Sequence, residues 1–199
     1  SKLITDTDIA VAPIADLVYN GFSQRPKPIV EDGSNTLKEG RDYTLSYEDN
    51  INVGSAAVLV RGIGNYSGNR ELTFNIVPKY ISILIADQQK DYGSQDRVLI
   101  FTADSFLFGS DVFTGSLSRV SGEAVGDYLI SSGTLSAGDN YTLDIQADAI
   151  FRIIRIDSDG DGVPDDIEDI DNTDSNDPCD LILTSQIETP SEAWNNSDC

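Results

Sequence analysis

The last 43 residues of this 199-residue chain carry many acids and no base, which limits how they can fold. Residues 157–199 hold 14 Asp and Glu and no Lys or Arg, whereas residues 1–156 hold all 13 basic residues and 20 acids. So many carboxylates repel one another unless a cation neutralises them. We therefore expect this segment to bind cations, and the net charge of −21 predicts no nucleic-acid partner and no insertion into a membrane.

The spacing of the first acids in this segment is typical of a calcium loop. The run 157–168 has the form D-x-D-x-D-G-x-x-D-x-x-E. Ca²⁺ takes about six to eight oxygen ligands in flexible geometry, and a glycine at the sixth position allows the chain to turn sharply. The predicted ligands are the carboxylates of the pattern and one backbone carbonyl, supplied by Asp157, Asp159, Asp161, Val163, Asp165 (directly or through water) and Glu168. Mg²⁺ suits this pattern less well because it demands stricter octahedral geometry, and Zn²⁺ is disfavoured by the absence of His.

Residues 1–156 show the pattern of short β-strands. Alternating or β-branched runs such as Tyr43–Tyr47, Ala56–Val60 and Ile150–Ile156 are separated by Gly, Asn and Asp turn residues. The sequence predicts a mainly β fold with two tandem small domains, immunoglobulin-like sandwiches or β-grasp-like, followed by an irregular calcium-wrapped segment. The predicted bounds are 1–78, 79–156 and 157–199, and residues 103–113 fit either a short helix or an irregular loop.

The two predicted β domains repeat several short signals in the same order. Both contain an Ile-Ala-Asp step, a Val-Gly step before a strand and an Asn-Tyr pair after a Gly-containing turn. The corresponding positions are 14–16 and 85–87, 53–54 and 125–126, and 65–66 and 140–141. This order indicates two copies of a related module. The alternative is that small β domains reuse the same turn residues.

Several longer runs in these domains resemble known modules. The first domain contains Gly62-Ile-Gly-Asn-Tyr-Ser-Gly68, and the second contains Lys90-Asp-Tyr-Gly93, Phe113-Thr-Gly-Ser-Leu-Ser-Arg119, Gly122-Glu-Ala-Val-Gly-Asp-Tyr128 and Gly133-Thr-Leu-Ser-Ala-Gly-Asp-Asn-Tyr-Thr142. The first run is similar to a module common in bacterial surface proteins. The other four, which cover nearly all of 80–154, resemble the MBG-type repeat of bacterial adhesins. That resemblance implies a spacer role in a long chain.

The acidic segment itself resembles a thrombospondin type 3 repeat, in which the chain winds around several calcium ions. The resemblance runs from residue 157 to residue 180 and implies a second ion bound by part of a later set, Asp169, Asp171, Asp174, Asn176, Asp177 and Asp180. It also implies a disulfide, for which the chain offers Cys179 and Cys199. Free thiols, or a partner for Cys199 beyond this chain, remain the alternatives.

The tail as a whole resembles repeats of very large Bacteroidetes cell-surface proteins, including gliding-motility adhesins. Together these resemblances imply a calcium-stabilised spacer and joint in an extracellular adhesin that contacts neighbouring repeats of its own chain. The absence of Met fits a piece of such a longer protein. No enzyme is expected, because the chain has no His, no Gly-x-Ser-x-Gly motif and no phosphate loop. The alternative function is a glycan- or protein-binding module that uses exposed aromatic residues, with Tyr19, Tyr92 and Trp194 as candidates and core packing as their simpler role.

Overall fold

The computed structural model describes residues 1–146 and 148–190 and has a mainly β fold. Within these described ranges, strands hold 38% of the residues and there is one short α-helix, which confirms the predicted fold class. No helix in the described ranges is long and apolar enough to cross a membrane. The strands are β1 (Lys2–Leu3), β2 (Ile9–Val11), β3 (Leu17–Val18), β4 (Val30–Asp32), β5 (Asn35–Thr36), β6 (Tyr43–Glu48), β7 (Gly54–Gly62), β8 (Tyr66–Ser67), β9 (Asn69–Val77), β10 (Lys79–Leu84), β11 (Gln88–Asp91), β12 (Thr102–Ala103), β13 (Ser118–Arg119), β14 (Gly126–Ser131), β15 (Tyr141–Ile145) and β16 (Ala149–Ile154). They are followed by helix α1 (Asp165–Asp171) and a 3-10 turn at Leu183–Ser185.

The chain forms two compact units, and each is assembled from separate stretches of the sequence. Of the described residues, the first unit contains 1–83, 103–114 and 135–144, and the second contains 84–102, 115–134, 145–146 and 148–190. The predicted domain boundaries after residues 78 and 156 stay a prediction.

The first unit is built on a four-stranded sheet with the order β3-β9-β7-β6. β3 runs parallel to β9, whereas β9–β7 and β7–β6 are antiparallel pairs. Ala56, Val58 and Val60 of β7 are buried at alternate positions, because successive side chains of a strand point to opposite faces. A second sheet, β2-β4-β5, contributes Ile9 and Val30 to the same apolar cluster as Val60.

The second unit repeats this strand order. Its sheet is β11-β16-β14-β13, with β11 parallel to β16 and with antiparallel β16–β14 and β14–β13 pairs. The corresponding strands β7 and β14 begin at Gly54 and Gly126, whose φ angles are 140° and 147°. Residues with a side chain rarely adopt such angles. The common order and the matching glycines are what two copies of one module would produce.

The two Asn-Tyr pairs of the sequence also occupy similar backbone positions. The carbonyl of Asn65 accepts a hydrogen bond from the backbone N–H of Lys2 at 2.9 Å, and the carbonyl of Asn140 accepts one from Lys79 at 3.0 Å. Each pair therefore ties the chain to a lysine that opens a strand, β1 in one case and β10 in the other. The turn sequence has a structural role at both places.

Tyr19 is part of a buried tyrosine–carboxylate cluster in the first unit. Its side chain is 6% exposed, and its hydroxyl donates to Oδ2 of Asp111 at 3.0 Å, an atom that also accepts from the Tyr141 hydroxyl at 2.8 Å. The Tyr19 ring packs edge-on against Phe108 and Tyr141. Burial, with Asp111 as the second cause, raises the pKa of Tyr19 to about 12, so the hydroxyl keeps its proton. The hypothesis that Tyr19 is an exposed ligand contact is wrong. Of the two alternatives for residues 103–113, the irregular loop is the one observed, because residues 104–113 form no helix after the end of β12 at Ala103.

An ionic cluster fixes two loops of the second unit. Lys90 and Arg119, both nearly buried, bind Asp96, at 2.7 Å and 2.6 Å, and also pair with Glu123. The Arg119 guanidinium lies 4.9 Å from the centre of the Phe151 ring. Hydrogen bonds from Arg119 and then from Lys90 lower the pKa of Asp96 to about 2.

We expect Asp96 to contribute to resistance against acid. Its folded-state pKa lies below the value of about 3.9 for an unfolded Asp, so its contribution is complete above that value and is lost as the pH falls from about 4 to 2. In acid titrations followed by far-UV circular dichroism, Asp96→Asn should be less stable than the wild type at pH 6, and the two should converge near pH 2. The control is Asp139→Asn at an exposed position, and a constant difference across the titration would contradict this assignment.

Candidate metal centre

The predicted calcium loop follows the last strand and leads into α1. Its glycines Gly160 and Gly162 have φ angles of 78° and 91°, the left-handed conformation that glycine adopts without steric cost. Pro164 precedes the first residue of α1, and the first turn of the helix carries Asp165, Asp166 and Glu168. Acids are favoured at a helix N-terminus. Within the segment that the sequence predicts to be irregular, the structure has one regular element, α1, a helix of seven residues.

Three aspartates of the loop converge on one point. Asp157, Asp159 and Asp161 each offer a carboxylate oxygen, and these oxygens all lie within 4.8 Å of one another. Backbone N–H groups orient the side chains: those of Gly160 and Gly162 donate to Asp157 at 2.8 Å and 3.1 Å, and Val163 N–H donates to Asp161 at 2.7 Å. The loop backbone thus holds like charges close together.

A fourth buried carboxylate, Glu168 of α1, is not part of the group of three converging oxygens, but it lies close enough for the charges of Asp159 and Asp161 to act on it. Its side chain is 0% exposed, and neither Oε1 nor Oε2 has a hydrogen-bond partner. Oδ2 of Asp159 and Oδ2 of Asp161 are also buried without a partner. Buried carboxylate oxygens normally have a hydrogen-bond donor or a metal as partner, because removal from water is costly.

The charges of the loop act on one another. Desolvation is the main cause that raises the pKa of Glu168 to about 7, and the carboxylates of Asp159 and Asp161 contribute next. Desolvation likewise raises the pKa of Asp159 and of Asp161. Each of these three shifts disfavours the charged form of its carboxylate, as expected for desolvated negative charges that lie close together.

The other two predicted ligands of the loop have different surroundings. Asp165 accepts hydrogen bonds from the backbone N–H and the hydroxyl of Ser158, at 2.8 Å and 2.7 Å, through its two oxygens. It therefore clamps the loop across seven residues. Val163 is buried, and its backbone N–H is the donor to Asp161 described above.

The later acids do not form a second group of this kind in the described ranges. Asp171 accepts a hydrogen bond from the Ser185 hydroxyl. Asp174 and Asp177 accept from backbone N–H groups two residues on, at Asn176 and Cys179. Asp169 and Asp180 are exposed. Their part in a second ion site stays a prediction.

Two residues named from the sequence lie outside the described ranges, Cys199 and Trp194. The Cys179–Cys199 disulfide therefore stays a prediction. Of the three candidate aromatic contacts, Tyr92 is 43% exposed and packs against Arg155, whose guanidinium carbon lies 5.4 Å from the ring centre.

The donor set suits a hard cation. Asp157, Asp159, Asp161 and Glu168 offer only carboxylate oxygens, which Ca²⁺ and Mg²⁺ prefer, and the loop has no imidazole or thiol for Zn²⁺. Sequence reasoning identified these four residues from spacing alone. It missed the hydrogen bonds that residues 186–188 donate to the carbonyls of Asp161 and Gly162, because local sequence patterns do not indicate contacts between residues about 25 positions apart.

Comparison with known proteins supports the class inferred for the β modules. Residues 81–151 match the MBG domain (YGX type), a repeat found in large bacterial surface proteins. The match confirms the predicted MBG resemblance for the second β domain, and domains of this type occur in large bacterial surface proteins. No curated protein matches the chain. The match ends at residue 151, before the predicted calcium loop. The hypothesis of a metal site in that loop therefore depends on the geometry of the loop alone.

Proposed function

We propose that this chain is a calcium-stabilised spacer and joint of a long bacterial cell-surface adhesin. The observation that carries the proposal is the fully buried Glu168, which has no hydrogen-bond partner and is influenced by the charges of the loop aspartates. A folded protein tolerates such a group when a cation supplies the missing interactions. The role is structural, with no catalytic step.

The ion would be held by Asp157, Asp159, Asp161 and Glu168. The Val163 carbonyl and Asp165, directly or through water, would supply the remaining oxygens. Ca²⁺ suits this set better than Mg²⁺ because a carboxylate in the twelfth position can give both oxygens to the larger ion. When bound, the ion would neutralise charge in a segment where 14 acids have no basic counterpart.

The loop is attached to the end of the β module that precedes it. Asp165 N–H donates to the Ile156 carbonyl at 2.9 Å, and Arg155 lies 3.8 Å from Asp166 while it packs over Tyr92. A rigid loop would therefore fix the direction in which the chain leaves β16. Without the ion, charge repulsion would loosen it.

The remaining details of the proposal rest on the sequence resemblances. They are a thrombospondin type 3-like segment, a Cys179–Cys199 disulfide that staples it, and a place among Bacteroidetes adhesins of the gliding-motility kind. The tandem modules would act as spacers between neighbouring repeats of the same chain. Glycan or protein contacts by such an adhesin would lie elsewhere than at the buried Tyr19.

Calcium titration tests the proposal directly. By calorimetry we expect Ca²⁺ to bind with an affinity in the micromolar range or weaker. A ligand present at about a hundred times its dissociation constant stabilises the folded form by about 2.7 kcal/mol, so the thermal midpoint should rise by several degrees relative to chelator. Mg²⁺ at the same concentration is the control and should give a smaller shift. Absence of both binding heat and a shifted midpoint would refute the calcium site.

A further inference from the structure

Residues 185–190, here called the strap, pass over the metal loop and bond to its backbone. The carbonyl of Gly162 accepts hydrogen bonds from the N–H groups of Ile187 at 3.0 Å and Glu188 at 3.1 Å. The side-chain amide of Gln186 donates to the carbonyl of Asp161 at 2.6 Å. Three donors of the strap thus converge on two consecutive loop residues.

The fit between strap and loop is close. A Cβ atom on Gly162 would lie 2.7 Å from the carbonyl oxygen of Glu188 and 3.1 Å from the Pro190 ring. At its other end the strap is tied to α1, because the Ser185 hydroxyl donates to Asp171. The strap therefore contacts the turn of the loop and the end of the helix that carries Glu168.

Asp161 takes part both in the convergence of the loop carboxylates and in the contact with the strap. Its carboxylate is one of the three that converge in the loop, and its backbone carbonyl is held by Gln186. An ion that fixes the carboxylate also fixes the peptide group to which the strap binds. Asp161 is 0% exposed, so the two contacts cannot be exchanged for water without opening the loop.

We infer that the strap closes on the loaded loop, so that ion binding and the order of residues 185–190 are linked. The inference rests on the proposed calcium site. Linkage is reciprocal: the ion stabilises the closed strap, and a closed strap raises affinity for the ion by the same factor.

Hydrogen exchange measured by mass spectrometry tests the link. In the wild type, Ca²⁺ should slow exchange of the Ile187 and Glu188 amides about tenfold or more relative to chelator, because both donate to the loop. Gln186→Ala should weaken calcium binding about fivefold, the effect of one lost hydrogen bond, and should reduce that protection. Gln95→Ala, at an exposed position, is the matched control and should behave as wild type.

A second variant, at Gly162, tests the link without relying on the side chain of Gln186. Gly162→Ala should displace the strap, because φ at this position is 91° and the added Cβ has no room. Exchange in β14 and β16 should be unchanged, which shows that the fold is intact.

The outcomes separate the two proposals. If wild type binds Ca²⁺ but its strap exchanges equally fast in chelator, or if Gln186→Ala binds as tightly as wild type, the link is overturned and the calcium site stands. If the wild type does not bind Ca²⁺, the proposed function itself fails.

Discussion

Replacing Glu168 with Gln should stabilise the calcium-free protein and abolish its response to calcium. In chelator, the substitution removes a charge that is fully buried without a hydrogen-bond partner, and the amide keeps nearly the same volume. The thermal midpoint should therefore rise. In calcium, the same substitution removes the carboxylate of the twelfth position, and binding should weaken about a hundredfold or more.

Differential scanning calorimetry in chelator and in calcium measures both effects. The matched control is Glu71→Gln, an exposed position in β9, which should leave both midpoints within experimental error. Asp161→Ala should also lose most of the calcium response. A Glu168→Gln variant that keeps the full calcium shift would show that this residue is no ligand.

Asp111→Ala should be the most destabilising of the substitutions considered in the first compact unit. The carboxylate accepts hydrogen bonds from two buried tyrosines, Tyr19 and Tyr141. Each buried hydroxyl left without a partner costs about 1–3 kcal/mol, so we expect a loss of roughly 2–5 kcal/mol. Urea unfolding followed by circular dichroism measures it, with Asp139→Ala as an exposed control.

Second-site substitutions distinguish this cause from a simple loss of packing. When both partners of a buried hydrogen bond are removed, the cost is small. Tyr19→Phe added to Asp111→Ala should therefore recover part of the stability, whereas Tyr19→Phe alone should lower it. A loss below about 0.5 kcal/mol for Asp111→Ala, the range of ordinary surface substitutions, would mean that the cluster contributes nothing.

Much of the β fold could be predicted because its signals are local. The alternation at Ala56, Val58 and Val60 predicts a strand with one buried face, and the structure places these residues in the middle of β7. The positions of Asp157, Asp159 and Asp161 predict a convergence that the structure shows. In both cases the spacing along the chain determines the geometry directly.

The features that escaped prediction depend on distant partners. Helix α1 is too short and too acidic to show helical periodicity, and its place depends on Pro164 and the loop before it. Nothing in the sequence around Tyr19 indicates that it is buried against Asp111 and Tyr141. These partners lie roughly ninety and one hundred and twenty positions later in the chain. The shared strand order of the two sheets likewise emerges only from pairing between strands far apart along the chain.

The parallel pairing of β11 with β16 has a mechanical consequence. A pull applied at the two ends of this segment draws the strands in opposite directions along their length. The hydrogen bonds between them are then loaded in shear, all together, instead of opening one by one. This pair has four residues in register, from Gln88↔Phe151 to Asp91↔Ile154, whereas β3 and β9 have two. Under tension, β11–β16 should therefore hold longer than β3–β9, and a surface protein under drag would give way first at the shorter pair.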